Sequence, residues 1–91
     1  MVVTKHLKIY GKVQGVFFRE SMSRKANELG ITGWVRNRSD GAVEAMVKGS
    51  SDAVATIIEW AHRGPEDANV EQVVSNPGSG TFSDFEKRPS V

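Results

Sequence analysis

The segment from Gly11 to Arg19 combines two glycines, three consecutive apolar residues and an arginine at the start of a predicted helix. Backbone N–H groups in a first helical turn have no partner inside the helix, and a preceding glycine lets the chain bend so that several converge. Such a loop binds phosphate, and an arginine adds a full positive charge and a forked set of donors. The segment is therefore a candidate phosphate-binding loop.

Arg19 is poorly placed for helix stability, because a positive charge at a helix N-terminus opposes the macrodipole by roughly 0.3–1 kcal/mol. The position makes sense if an anion binds there. The run Val16 to Phe18 also favours a tightly packed loop. The spacing of the glycines matches neither a Walker loop nor a dinucleotide fingerprint, so an ordinary strand-to-helix turn with a surface arginine is the structural alternative.

Asn37 is the second candidate, at the end of a short predicted strand. Its side-chain amide can both donate and accept hydrogen bonds, so it can hold a water molecule. The structural alternative is an asparagine that helps to form the turn at Ser39 to Gly41.

Conventional catalytic groups are not arranged as sites. His6 lies at a polar position of an early strand and His62 at a helix C-terminus, so both are interpreted as structural. Trp34 and Trp60 are interpreted as packing residues. The chain has no cysteine, which excludes a disulfide scaffold, a thiolate metal site and a cysteine nucleophile.

Periodicity predicts the elements that must position these residues. Alternating apolar residues predict a strand over 5–13, and a helical period predicts a helix that starts at Phe18 and stops at Gly30. A strand over 33–37 and a third strand beginning at Val43 are joined by a tight turn, which makes them a hairpin. The period returns to that of a helix over 52–63.

The last third of the chain is less regular. Val70, Gln72 and Val74 fall on one parity and Val73 on the other, and Asn76 to Gly80 is a predicted loop. A final strand is predicted over 82–87, but Phe82 and Phe85 have opposite parity. A bulge, or a strand that begins after Phe82, would reconcile them.

This order of elements, βαββαβ with room for an extra terminal strand, predicts an α+β ferredoxin-like sandwich in a single domain, residues 1–91. Two helices should cover one face of a mainly antiparallel sheet. If the first two strands run parallel, their C-terminal ends coincide, which brings Asn37 to the loop that carries Arg19.

The net charge of +1 hides an asymmetry: residues 1–38 carry +6 and residues 39–91 carry −5. We interpret the basic part, including Lys12, Arg36 and Arg38, as a local field for one small anion; the alternative is that folding intermixes the two halves. No apolar run approaches a membrane span and the N-terminus has no signal core, so a cytoplasmic location is expected.

Two motifs together resemble those of the acylphosphatase family. The first, G-x-V-Q-G-V-x-[FY]-R, is matched at every position from Gly11 to Arg19. The second joins a strand to the turn and strand that follow it, and its matching residues are Gly33, Trp34, Val35, Arg36, Asn37, Gly41, Val43 and Gly49. Arg38 stands where many relatives have a small hydroxyl residue.

The resemblance implies hydrolysis of the carboxyl–phosphate bond of acyl phosphates by direct attack of water. Arg19 would bind the phosphate, with the backbone N–H groups of Gly15, Val16, Phe17 and Phe18 completing the cradle. Asn37 would position the water. The family needs no metal or organic cofactor and forms no phosphoenzyme. The expected partner is a small-molecule acyl phosphate, without nucleic acid or membrane, and a monomer is expected.

Three rival functions remain open from the sequence. An acylphosphatase-like enzyme could be directed to carbamoyl phosphate, because similar domains begin larger hydrogenase-maturation proteins that use this compound. A second rival is an anion sensor without catalysis. The third is an RNA-binding module, since the same element order serves many such domains. Those domains expose aromatic residues on a central strand, and the third predicted strand, Ala42 to Lys48, has none.

Overall fold

Two helices lie on one face of a five-stranded sheet in the computed structural model, which describes residues 1–91. The elements in chain order are β1 (Val2–Lys12), α1 (Phe18–Leu29), β2 (Thr32–Asn37), β3 (Val43–Ser50), α2 (Ser51–Ala61), β4 (Asn69–Pro77) and β5 (Phe85–Lys87). The strand order across the sheet is β4-β1-β3-β2-β5. The predicted ferredoxin-like class is confirmed, and β5 is the extra terminal strand.

The two strands that carry the candidate motifs end at the same edge of the sheet. β3 runs antiparallel to both β1 and β2, so β1 and β2 run parallel with β3 between them. The final strand β5 is parallel to β2, with Val35 opposite Lys87. Three chain segments therefore finish together at the edge where α1 begins.

The observed boundaries differ from prediction mainly in the last third. β4 continues through Pro77, so the loop predicted from Asn76 is wrong at its start. An edge strand accommodates a terminal proline, since no neighbour needs its missing N–H. β5 begins at Phe85, and this later start resolves the parity conflict with Phe82. Phe85 is buried in the core.

The core lies between the sheet and the two helices. α1 contributes Phe18, Met22 and Ala26, and α2 contributes Val54, Ile57 and Ala61. The helices meet where the rings of Phe18 and Trp60 pack with centroids 5.3 Å apart, which confirms the packing role of Trp60. α1 stops at Gly30 as predicted, and this glycine adopts the left-handed conformation at φ 70°.

The face of the sheet away from the helices carries an ionic network centred on Glu44. Glu44 is 7% exposed, and its oxygens lie 2.6 Å from His6 Nε2, 2.8 Å from Arg36 Nε and 3.3 Å from Arg38 Nη1. Burial alone raises the pKa of Glu44, but the hydrogen bonds from His6 and Arg36 outweigh it and lower the pKa to about 2.

This network predicts a specific loss of stability in acid. Because the pKa of Glu44 in the folded state lies below its ordinary value of 4.5, its contribution is complete above about pH 4.5. It disappears as the pH falls towards 2, with a total of about 3 kcal/mol. Urea unfolding between pH 6 and 2.5 should show a steeper loss for the wild type than for Glu44→Gln.

Glu59→Gln is the matched control, because Glu59 is exposed on α2 and forms no ion pair. This variant should follow the wild-type pH dependence. Parallel curves for wild type and Glu44→Gln would contradict the assignment of the acid sensitivity to this network.

Candidate active site

One cavity of about 390 Å³ opens at the edge where β1 and β2 end and α1 begins. Its volume lies within the ~300–1,000 Å³ typical of small-molecule sites. The residues that line it are Val13, Gly15, Phe17, Phe18, Arg19, Glu20, Asn37 and Lys87. The structure thus brings both candidate motifs to a single cavity.

The loop before α1 has the backbone geometry of an anion nest. Gly15 and Phe17 have φ values of 74° and 62°, and the N–H groups of Gly15, Val16 and Phe17 donate to no other group of the protein. A positive φ at a bulky residue such as Phe17 costs of order 1–3 kcal/mol and is found mainly at functional sites. The unpaired N–H groups give the loop its capacity to bind an anion.

Gln14 fixes this loop to the hairpin formed by β2 and β3. Its side-chain amide donates to the carbonyl of Arg38 at 2.8 Å and to that of Ala42 at 2.9 Å. These bonds join the phosphate-binding loop to the segment that directly follows Asn37. Sequence reasoning missed this role, because only the folded register shows which carbonyls face Gln14.

Arg19 lines the cavity and has no carboxylate partner. Four of the six arginines form ion pairs, namely Arg24, Arg36, Arg38 and Arg88. Of the two others, Arg63 follows α2 and is not among the lining residues. The guanidinium of Arg19 is therefore available for a bound anion.

Asn37 is the last residue of β2 and lies on the helix-covered side of the sheet, in step with the buried Val35. Its backbone is held by pairing with Val43 and by a 3.1 Å hydrogen bond from the N–H of Val91 to its carbonyl. Its side-chain amide has no partner in the protein. A water molecule in the cavity can therefore use both the donor and the acceptor of this amide.

Two of the predicted loop residues have side chains that serve the core. Val16 is 6% exposed, belongs to the core and is not a lining residue, and Phe18 packs against Trp60. Any contact of Val16 with substrate must come from its backbone N–H group. Phe17 instead is 78% exposed at the cavity.

The structure corrects the expected local field. Arg36 and Arg38 lie on the open face of the sheet, opposite Asn37, where Glu44 and Asp40 neutralise them. Arg38 is thus removed from the water site, and the basic and acidic halves of the chain intermix. Neither Arg36 nor Arg38 lines the cavity, and nor does Lys12.

Two lining residues were not singled out from the sequence as site residues. Glu20 forms an i, i+4 ion pair with Arg24 at 3.6 Å on α1. Glu20 also accepts a 2.5 Å hydrogen bond from Lys87, which holds the pKa of the Glu20 carboxyl below its usual range. For Lys87, the only sequence signal would have been the face of the sheet that its side chain occupies, and this depends on the register of β5.

The remaining chemistry of the cavity is that of an anion site beside a water site. Unpaired N–H groups and the Arg19 guanidinium can surround a phosphate, and the Asn37 amide can hold a water next to it. No histidine or hydroxyl side chain lines the cavity. Neither helix of the fold has the length and hydrophobicity needed to cross a membrane.

Comparisons with known proteins agree with this geometry. A family model described as Acylphosphatase matches residues 5–87. The chain is 56% identical to an acylphosphatase of Thiobacillus denitrificans over 93% of this chain and 96% of the relative. It is 49% identical to one of Acidovorax sp. over 98% and 93%. The solved structure of an acylphosphatase from Coxiella burnetii superimposes with a TM-score of 0.92 at 43% identity, covering 96% and 93% of the two chains.

Proposed function

Because the chain belongs to the acylphosphatase family, we propose that its acylphosphatase activity is carried by Arg19, Asn37 and the loop between β1 and α1. The observation that carries the assignment is the convergence of an unpaired arginine, unpaired backbone N–H groups and an unpaired amide in one cavity. The reaction converts an acyl phosphate and water into a carboxylate and inorganic phosphate.

Arg19 and the N–H groups of Gly15 to Phe18 bind the phosphate oxygens. Three fixed sources of positive potential act together here: the guanidinium, the N–H groups of the nest and the N-terminus of α1. They are present before substrate arrives, so little reorganisation is needed as charge redistributes among the phosphate oxygens. The loop holds the phosphorus atom next to Asn37.

Asn37 holds the attacking water. The oxygen of this water forms a new bond to phosphorus while the bond between phosphorus and the acyl oxygen breaks. The electron pair of the broken bond leaves with the carboxylate. A phosphate oxygen of the substrate takes the proton of the water. A carboxylate is a good leaving group, so positioning and charge stabilisation suffice without a tuned base.

The wider setting proposed is a cytoplasmic monomer that takes a small acyl phosphate and binds no nucleic acid. The exposed large apolar residues besides Phe17 are confined to the termini: Met1, Val2 and Val91. No large apolar patch therefore calls for a second subunit. Trp34 is 7% exposed beneath the guanidiniums of Arg36 and Arg88, so it offers no platform on which a base could stack.

Hydrolysis of benzoyl phosphate in water enriched in ¹⁸O tests the proposal directly. The absorbance of benzoyl phosphate follows its hydrolysis continuously. The protein should release one phosphate per benzoate, at the same rate with and without EDTA. The label should enter phosphate, because water attacks phosphorus. Absence of turnover would overturn the proposal, and label in benzoate would show attack at the carbonyl carbon instead.

A further inference from the structure

An ion pair stands in the wall of the cavity, beside the groups assigned to catalysis. Lys87 Nζ lies 2.5 Å from Glu20 Oε1, and the two side chains are 46% and 41% exposed. Both residues line the cavity together with Arg19 and Asn37. The pair bridges the first turn of α1 and the end of β5.

The register of the sheet places Lys87 on the side of the water site. β5 runs parallel to β2 with Lys87 opposite Val35, so both residues face the helices, as Asn37 does two residues further along β2. Lys87 thus lies on the strand adjacent to the one that ends at Asn37. Its ammonium group reaches the cavity from a different wall than Arg19, which comes from α1.

The charge of Glu20 is compensated twice. Its carboxylate has Lys87 on one oxygen and Arg24 at 3.6 Å on the other. If Lys87 turned to another anion, Arg24 would still compensate Glu20, and the carboxylate would not stand unpaired near the bound phosphate. The arrangement leaves one ammonium group that a substrate can share.

The phosphate itself already has Arg19 and the backbone nest. The cavity, about 390 Å³ in volume, has room for the acyl portion as well. We propose that Lys87 is a specificity-determining residue that binds a carboxylate on the acyl portion, so that the enzyme favours acyl phosphates of dicarboxylic acids. This inference rests on the proposed function and adds the substrate class.

A pair of matched substrates tests it: 4-carboxybenzoyl phosphate and 4-methylbenzoyl phosphate, assayed with wild type and Lys87→Met. Comparing the variants on each substrate cancels the different reactivities of the two leaving groups. Lys87→Met should lower the ratio of kcat/KM values, charged over neutral, by about fivefold, the size expected for a partly exposed ion pair. The wild-type ratio should also fall as NaCl is raised, because salt screens an exposed pair.

Glu20→Gln separates substrate binding from simple neutralisation of Glu20. If Lys87 binds the acyl carboxylate, freeing it from Glu20 should raise the charged-to-neutral ratio. In the Glu20→Gln background, Lys87→Met should still lower the ratio if Lys87 binds the acyl carboxylate, whereas an unchanged ratio in that background would show that Lys87 only neutralises Glu20 and would overturn the inference. Lys48→Met is the control, since it removes one positive charge on the open face of the sheet and should leave the ratio unchanged.

The proposed function and the role of Lys87 fail in distinguishable ways. Turnover of 4-methylbenzoyl phosphate by wild type, with a ratio unaffected by Lys87→Met, would overturn only the role of Lys87. Absence of turnover of both substrates by wild type would overturn the proposed function and the inference together.

Discussion

Replacement of Arg19 by alanine is expected to lower kcat/KM for benzoyl phosphate by about 10²–10³, the usual effect of removing one preorganised electrostatic group. Arg19 has no carboxylate partner to lose and its charge opposes the macrodipole of α1, so the variant should unfold at a slightly higher urea concentration than the wild type. The affinity for inorganic phosphate, measured as competitive inhibition, should fall by about 10–100-fold, because a charge-assisted contact is lost.

Arg19→Lys and Arg63→Ala complete this experiment. Lysine keeps the charge but loses the forked donors, so Arg19→Lys should recover phosphate affinity only in part. Arg63→Ala removes an arginine that is not among the lining residues and should stay within about twofold of wild type. Wild-type kinetics in Arg19→Ala would remove the basis for placing phosphate in this loop.

Replacement of Asn37 by alanine is expected to lower kcat by about 10²–10³ while KM and the inhibition constant of phosphate stay within about twofold. The amide acts on the water and not on the phosphate, so binding and turnover should separate. The side chain has no protein partner, and the pairing of its backbone with Val43 does not depend on it. Stability should therefore change little.

The contrast between the two variants is the sharper test. Asn27→Ala, on the exposed side of α1, is the matched control and should hydrolyse benzoyl phosphate normally. If Asn37→Ala lost phosphate affinity to the same extent as Arg19→Ala, Asn37 would be a phosphate ligand and the assignment of the water would be wrong. Unchanged kcat would exclude any direct role.

Local patterns were sufficient to predict the parts of the site that lie in one segment. The step from strand alternation to a helical period at Phe18 located the loop, and Gly30 marked the end of α1. The expectation that the first two strands run parallel then predicted that Asn37 would reach the same edge as Arg19, which the structure confirms.

The parts set by pairing between distant segments were not predictable. Strand alternation alone points Arg36 and Arg38 to the face opposite Asn37, but their partner Glu44 is set by the register of β2 against β3. Lys87 reached the cavity only through the register of β5, which conflicting parity at Phe82 had left undecided. Net charges counted along the sequence therefore assigned Arg36 and Arg38 to the anion site, whereas both lie on the other face of the sheet.

The two hydrogen bonds of the Gln14 side chain also affect how the protein folds. Its amide joins carbonyls 24 and 28 residues away, while Asn37 and Lys87 come from strands that pair across most of the chain. Contacts between distant segments form late and slowly, because the entropy of loop closure must be overcome first. Helix formation can run ahead of them, since it is local. Hydrolysis therefore requires that the strands carrying Asn37 and the Gln14 contacts have paired, which a measure of helix content alone does not report.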